Sequence, residues 1–346
     1  MKEFGSNFHY LPVEANAVRT IGHYHPDAVY YATGRHALID LYRQMGWKRL
    51  WVPEYFCYEV LGSVLREGVN VAFYTDYPTF DEDDVVRDLP FEEGDALFRV
   101  NYFGLRSMRS NRAIKVPVVE DHTHDLIGPW ACSSDADWCI ASLRKTLPLA
   151  EGGMLWSPQG YRLKNKPAES SDNKEVAAAM WNAMRQKALY MENKITDKTE
   201  FRNAMIAVEE ALDSMEVSAL DPETVDYLEQ FDVDRWYKGK RENWSLLNKV
   251  AASDDFKIVE PETTGCNPFS MTIVFSDKEA RNRFRKALID NDVYPAILWN
   301  IPDEKTPIVK DFSQQMLSIH CDTRYNKDDI MDLYGIINHC NSYCHD

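Results

Sequence analysis

The sequence predicts an α/β protein: a mostly parallel sheet covered by helices, followed by a small C-terminal α+β unit. Three observations carry this reading. Segments of helical and strand period alternate through the first half, with a Gly or Pro near each change of period. Several strand-like segments are apolar throughout, as strands buried on both faces are. Ionisable residues cluster just after those segments, where open α/β sheets place their sites.

Taken in order, Arg35–Met45 puts Ala37, Leu38, Leu41, Tyr42 and Met45 on one helical face and stops at Gly46. Leu50–Val52 is a short strand ended by Pro53. Cys57–Glu67 is helical in period and closed by Gly68, and Val69–Tyr74 is the next strand. Further strands are predicted at Ala96–Val100, Val116–Glu120, Trp138–Ser142 and Met154–Trp156. Beyond Ser157 the chain changes character: Lys164–Lys174 is polar and reads as loop, and helices are expected over Glu175–Asn193, Glu200–Met215 and Arg235–Ala252. A compositional reset at Ala252-Ser253-Asp254-Asp255 lies close to the domain boundary, which divides a large unit, 1–245, from a small one, 246–346. The small unit reads as a strand from Phe256, a strand Met271–Phe275, a helix Lys278–Asp290, strands Tyr294–Trp299 and Met316–His320, and a helix Lys327–Asn341.

At 346 residues, 45% of them hydrophobic, the chain has material for two such units. Its formal net charge of −16, with no basic block, argues against nucleic acid as a main partner. No apolar run approaches the roughly 18 residues of a membrane span. The first residues hold no continuous apolar stretch of the secretory kind, so a cytoplasmic location is expected. Seven Cys, an odd number without any C-x-x-C pair, fit reduced thiols.

Three constellations offer chemistry. Ala32-Thr33-Gly34-Arg35-His36-Ala37 opens a helix, and free backbone N–H groups there suit a phosphate; taken alone, Thr33 reads more simply as a helix cap. Val118-Val119-Glu120-Asp121-His122-Thr123-His124-Asp125 runs an apolar strand into two carboxylates and two imidazoles beyond Glu120. That cluster could ligate a metal, place Asp121 as an anion beside a cationic ring with His124 as a hydrogen-bonding neighbour, or be a solvated turn. In Ala141-Ser142-Leu143-Arg144-Lys145, continuing to Glu151-Gly152-Gly153, a Lys follows a buried strand by three residues. Such a Lys is either a surface residue or a desolvated amine able to attack an aldehyde. Together the three supply a phosphate cradle, an acid and an imine-forming Lys, the parts that pyridoxal phosphate needs.

In these segments the sequence resembles the DegT/DnrJ/StrS sugar aminotransferases, within the fold-type I pyridoxal phosphate (PLP) enzymes. The resemblance runs from Thr33-Gly34-Arg35-His36-Ala37-Leu38 through Val52-Pro53-Glu54-Tyr55, Val100-Asn101-Tyr102-Phe103-Gly104, Glu120-Asp121-His122-Thr123-His124, Ser142-Leu143-Arg144-Lys145 and Glu151-Gly152-Gly153, and continues into Arg241-Glu242-Asn243 and Leu317–Asp322. It implies that Lys145 forms the imine and shuttles the proton, that Asp121 holds the pyridine nitrogen and that His124 meets the ring hydroxyl. Ser142, with the backbone of Gly34 and Arg35, would bind the phosphate. It further implies transamination of a keto group, on a sugar of the free or nucleotide-linked kind, with an amino acid such as glutamate as donor, in a homodimer. Relatives usually carry Thr where Arg35 stands and an aromatic residue where Cys57 falls, and many have a longer spacing between the Ser and the Lys.

Rival readings are a dehydratase using the same cofactor, a homologue that kept the fold and lost catalysis, and a metal-dependent hydrolase built on Asp121, His122, His124 and His320. No metal is assigned. His339, Cys340, Cys344 and His345 lack a second ligand pair at metal-site spacing. The aromatic run Tyr294–Trp299 reads as core rather than as a substrate entrance, and Asp81-Glu82-Asp83-Asp84 as a solvated loop.

Overall fold

The computed structural model describes residues 3–13, 19–250 and 256–343. The reset at Ala252–Asp255, and Cys344 and His345, lie outside them. After β1 (Phe4–Gly5) and α1 (Ile21–Tyr24) come the strands β2 (Val29–Tyr31), β3 (Arg49–Pro53), β4 (Val71–Tyr74), β5 (Asp95–Val100), β6 (Val118–Asp121), β7 (Trp138–Ser142) and β8 (Gly153–Trp156). Between them lie α2 (Gly34–Met45), α3 (Tyr58–Arg66), α4 (Asp83–Arg87) and α5 (Pro129–Ser133). Four helices follow: α6 (Ser171–Met191), α7 (Thr199–Ser214), α8 (Pro222–Gln230) and α9 (Val233–Leu247). The C-terminal part holds β9 (Phe256–Ile258), β10 (Met271–Phe275), α10 (Lys278–Ile289), β11 (Val293–Tyr294), α11 (Pro307–Gln315), β12 (Met316–Ile319) and α12 (Lys327–Tyr343).

Seven strands form one sheet in the order β2-β8-β7-β6-β5-β3-β4. Every pairing from β7 to β4 is parallel, and β8 alone runs against both its neighbours. The expected mostly parallel sheet is what the chain forms. Successive residues of each strand enter opposite cores: Trp51, Leu97 and Met154 pack on one face, and Val52, Phe98 and Leu155 on the other. The first core includes α6 to α9, and the second includes α2 and α3. At about 1.5–3 kcal/mol per large buried side chain, the two faces hold the sheet from both sides.

The helix predicted over Arg35–Met45 forms, because both ends carry their stop signals. The Thr33 hydroxyl accepts the His36 backbone N–H at 3.1 Å, and Gly46 closes the helix in the left-handed region at φ 65°. Other expectations need correction. The long helix after the polar loop starts at Ser171, inside the expected loop, because Ser170 caps it by accepting the Asn173 N–H. Helices α8 and α11, each opened by a Pro at its first turn, were not expected. The strand expected over Tyr294–Trp299 stops at Tyr294, since Pro295 has no N–H to donate; beyond it only Ala296 bridges, to Ser318.

The acidic run Asp81–Asp84, expected as a solvated loop, is exposed at Asp81 and Asp84 but turns inward at Glu82 and Asp83. Glu82 is fully buried, 2.6 Å from Arg99 and 3.4 Å from both Arg106 and Arg109. Asp83 meets Arg99 at 2.6 Å, and Asp76 meets Arg106 at 2.6 Å. Buried guanidinium groups demand counter-ions, and the run supplies them.

The C-terminal sheet is β12-β10-β9, backed by Phe284, Leu288, Ile330 and Leu333. Phe4 packs into the same core, because β1 pairs in parallel with β11.

Candidate active site

At the carboxyl ends of β6 and β7 lies a cavity of about 190 Å³. All six residues singled out in the sequence line it: Gly34, Arg35, Asp121, His124, Ser142 and Lys145. The sheet side is assembled by short local bonds. The Thr123 N–H donates to Asp121 Oδ1 at 2.8 Å, and Thr123 Oγ1 accepts the Ser142 N–H at 2.9 Å. One threonine thus fixes the acid of β6 against the serine of β7. Burial pushes the Asp121 carboxyl up, while the hydrogen bonds from Thr123 pull it down.

The N-terminus of α2 enters beside Ser142. A Cβ on Gly34 would stand 3.1 Å from the Ser142 Cβ, so a side chain there would crowd the space where the backbone N–H groups open. On the next strand, a Cβ on Gly153 would fall 2.1 Å from the Thr33 carbonyl oxygen. The Gly152-Gly153 pair lets β8 run against the entry to α2. Ser142 Oγ has no hydrogen-bond partner among the described residues and remains available to a ligand.

Lys145 follows β7 through one tight turn, Leu143–Lys145, and reaches the cavity. Its amine makes no hydrogen bond to a described residue. The neighbouring Arg144 guanidinium lowers its pKa, against the opposing pull of Glu209 and Cys57, while the side chain stays open to solvent at the cavity mouth. That favours the neutral, nucleophilic amine.

His124 is held as a neutral ring. Its Nδ1 accepts the Phe103 backbone N–H at 3.1 Å, so the proton resides on Nε2. Burial, then the charges of Lys240 and Lys145, push its pKa down to about 3. Phe103 takes φ 56°, a conformation that a bulky residue adopts only where its surroundings impose it.

The rim was less visible in the sequence. Arg35 donates through Nη1 to Ser63 Oγ at 3.0 Å and to Asp213. Arg144 pairs with Glu209, Nη2 to Oε2 at 2.8 Å. Both carboxylates come from α7. Phe269, Leu298 and Trp299 close the side facing the C-terminal part, with the Trp299 ring 5.7 Å from that of His124 and 27° from parallel. The run Tyr294–Trp299 therefore reaches the cavity with its last two residues, where core was expected. Cys57 lines the opposite wall, its thiol pushed up by burial.

The H-x-H-x-Asp grouping does not converge. His122 lies two residues from Glu120 on one face of its strand, Nε2 to Oε2 at 3.1 Å, in a buried group with Cys139. Asp121 and His124 face the cavity instead, and Asp125 accepts the Gly128 N–H at 2.8 Å and the Asn267 side chain at 2.9 Å. His320 stands 3.9 Å from Asp322, outside the cavity lining. Strand alternation separates the set that a hydrolytic metal site would need.

No protein-family model matches the chain, and no curated protein matches it by sequence. Solved structures match over almost its whole length. The aminotransferase TlmJ from Streptoalloteichus hindustanus superposes with a TM-score of 0.63 at 14% identity, covering 94% of this chain and 90% of that one. The chain has the fold of the fold-type I aminotransferases. Spr1654 from Streptococcus pneumoniae, in its PLP form, gives 0.65 at 12% identity over 98% of this chain and 94% of that one. Helicobacter pylori PseC, an aminotransferase involved in the biosynthesis of pseudoaminic acid, gives 0.63 at 11% over 98% and 99%.

Proposed function

We propose that this chain is a PLP-dependent aminotransferase that converts a keto group on a sugar, with an amino acid such as glutamate as donor. The observation that carries this reading is the convergence of Lys145, Asp121 and the N-terminus of α2 with Ser142 in one cavity. The fold of TlmJ, Spr1654 and PseC supports it. The sugar acceptor rests on the order of the sequence motifs and on the pathway named for PseC.

The residues fit the cofactor. An unpaired amine with lowered pKa suits an aldehyde, and a half-buried carboxylate suits a protonated ring nitrogen. The N-terminus of a twelve-residue helix beside a free serine hydroxyl suits a phosphate. When bound, pyridoxal phosphate supplies an electron sink that stabilises negative charge at the donor's α-carbon.

The chain does the rest. Lys145 would hold the group through its free amine and would move a proton to or from the substrate carbon within each half-reaction. Asp121, held in place by the Thr123 tether, would keep a ring nitrogen protonated, and His124, with its proton on Nε2, would donate to a ring oxygen. Ser142, the backbone of Gly34 and Arg35, and the Arg35 guanidinium would take the phosphate. Trp299 and Phe269 narrow the opening to water. We take residues 1–245 as the large unit, 246–346 as the small one, and the working form as a cytoplasmic homodimer.

The test is the absorbance spectrum of the purified protein with added pyridoxal phosphate, repeated with Lys145→Ala and after glutamate. A visible band that is absent in the variant and bleaches with glutamate is expected. A wild type with no such band defeats the reading.

A further inference from the structure

The phosphate end of the cavity carries an imbalance that the proposed function does not absorb. Its cations are Arg35 and Arg144, and each is already engaged by a carboxylate of α7, Asp213 and Glu209 respectively. A third carboxylate, Glu59 of α3, lines the same cavity. Over the whole lining, Arg35, Arg144 and Lys145 face four carboxylates, Glu59, Asp121, Glu209 and Asp213, in the cavity where a ligand of charge near −2 is to bind. The Asp213 side chain is 45% exposed and Glu209 is 38% exposed, whereas Arg35 is buried at 8%. The arginine is fixed by its surroundings and the aspartate, at the end of its helix, is the partner free to leave.

We propose that Asp213 competes with the cofactor's phosphate for Arg35, so that α7 sets how tightly the site holds that phosphate. This rests on the proposed function, since it takes the phosphate of pyridoxal phosphate as the ligand. It assigns an unusual role to a residue in a binding site, because neutralising Asp213 tightens binding instead of weakening it. Arg35 places a cation in the first turn of α2, and its charge is held in check by an acid far along the chain. Glu209 acts in the same direction more weakly, since Arg144 lies beside Lys145 and not on the helix that opens onto the phosphate. The α7 acids thus favour a cofactor that exchanges with solution over one that stays bound through many turnovers.

The experiment is a titration of the full-length apo protein and of Asp213→Asn, Asp213→Glu and Glu209→Gln. The ligands are pyridoxal phosphate, pyridoxal without its phosphate, and inorganic phosphate. Binding is read from intrinsic tryptophan fluorescence, and imine formation from the visible band. Asp213→Asn is expected to tighten pyridoxal phosphate and inorganic phosphate about tenfold, or 1.4 kcal/mol, and to leave pyridoxal unchanged. Asp213→Glu is expected to restore the wild-type affinity, and Glu209→Gln to tighten binding by less. Unchanged or weaker phosphate binding by Asp213→Asn overturns the competition and makes Asp213 a support for Arg35. An equal gain for pyridoxal also overturns it, because the effect then has nothing to do with the phosphate. Wild-type protein that binds no pyridoxal phosphate brings down the proposed function, and this inference with it; wild type that binds while the variant gains nothing brings down the inference alone.

Discussion

The two sides of the cavity are built differently. On the sheet side, Asp121, Thr123, Ser142 and His124 are tied by bonds in which at least one partner is backbone, at 2.8 to 3.1 Å. On the rim, Arg35, Arg144, Asp213 and Glu209 meet through side chains alone, and the two acids are more than a third exposed. Backbone bonds cannot change partner without moving a strand, while exposed ion pairs exchange at little cost. The contrast separates a rigid frame from an adjustable rim; on the proposed function the first would set chemistry and the second occupancy.

The largest expected effect lies in the frame. Lys145→Ala should lower turnover by about 10³-fold or more, as loss of both nucleophile and proton carrier does; single-turnover kinetics with glutamate checks it. A residual rate within tenfold of wild type would move the chemistry off Lys145. Asp121→Asn should cost about 10²-fold in turnover with little change in fold, read as kcat alongside circular dichroism. Gly153→Ala tests the frame without touching chemistry. Its Cβ would collide with the Thr33 carbonyl, so a loss of roughly 3 kcal/mol is expected in urea unfolding. Stability unchanged by that substitution would show that the β8 turn yields, and the frame would be no stiffer than the rim.

The pH dependence of stability gives a smaller effect whose sign is defined residue by residue. His124 is pushed to about 3, and His25 and His36 to about 4, by burial above all, against 6.5 for the free ring. At these rings the unfolded chain binds more protons below 6.5, so each removes stability as pH falls from about 6.5 toward 4, whereas the buried carboxyls of Asp76, raised to about 7, and Glu151, raised to about 8, add stability over an overlapping range. The histidine part is read by difference: between urea midpoints at pH 7 and pH 5, His124→Gln should lose less stability, or gain more, than the wild type. The smallest effect belongs to the rim: Trp299→Phe keeps a ring against His124 and should change donor turnover by less than about threefold, checked by steady-state kinetics.

What could be read in the sequence divides along the same line. Thr33, Gly46, Asp121, Ser142 and Lys145 were visible because each acts within a few residues of a turn it helps to make. Asp213 and Glu209 were not, since nothing local distinguishes an acid near the end of a helix from any other, and their partners lie 178 and 65 residues away. The same holds for Glu82, whose acidic neighbours suggested solvent while its real environment is set by Arg99, Arg106 and Arg109. Phe103 gave no signal either, because a positive φ at an aromatic residue is forced by tertiary packing. Trp299 sits in a run whose composition is that of a core strand, and Pro295 is the local clue that the strand ends early.

One feature of the C-terminal part reaches beyond the cavity. β1 pairs with β11, and the Arg324 guanidinium donates to the carbonyls of Ser6 and Asn7 at 3.2 and 3.1 Å. During synthesis, Phe4 leaves the ribosome about 290 residues ahead of Val293, its partner. The segment must therefore stay unpaired with β11 while the strands of the seven-stranded sheet are synthesised. A bulky fusion placed close before Phe4 would delay that pairing and leave the edge of β11 open to pairing with another chain.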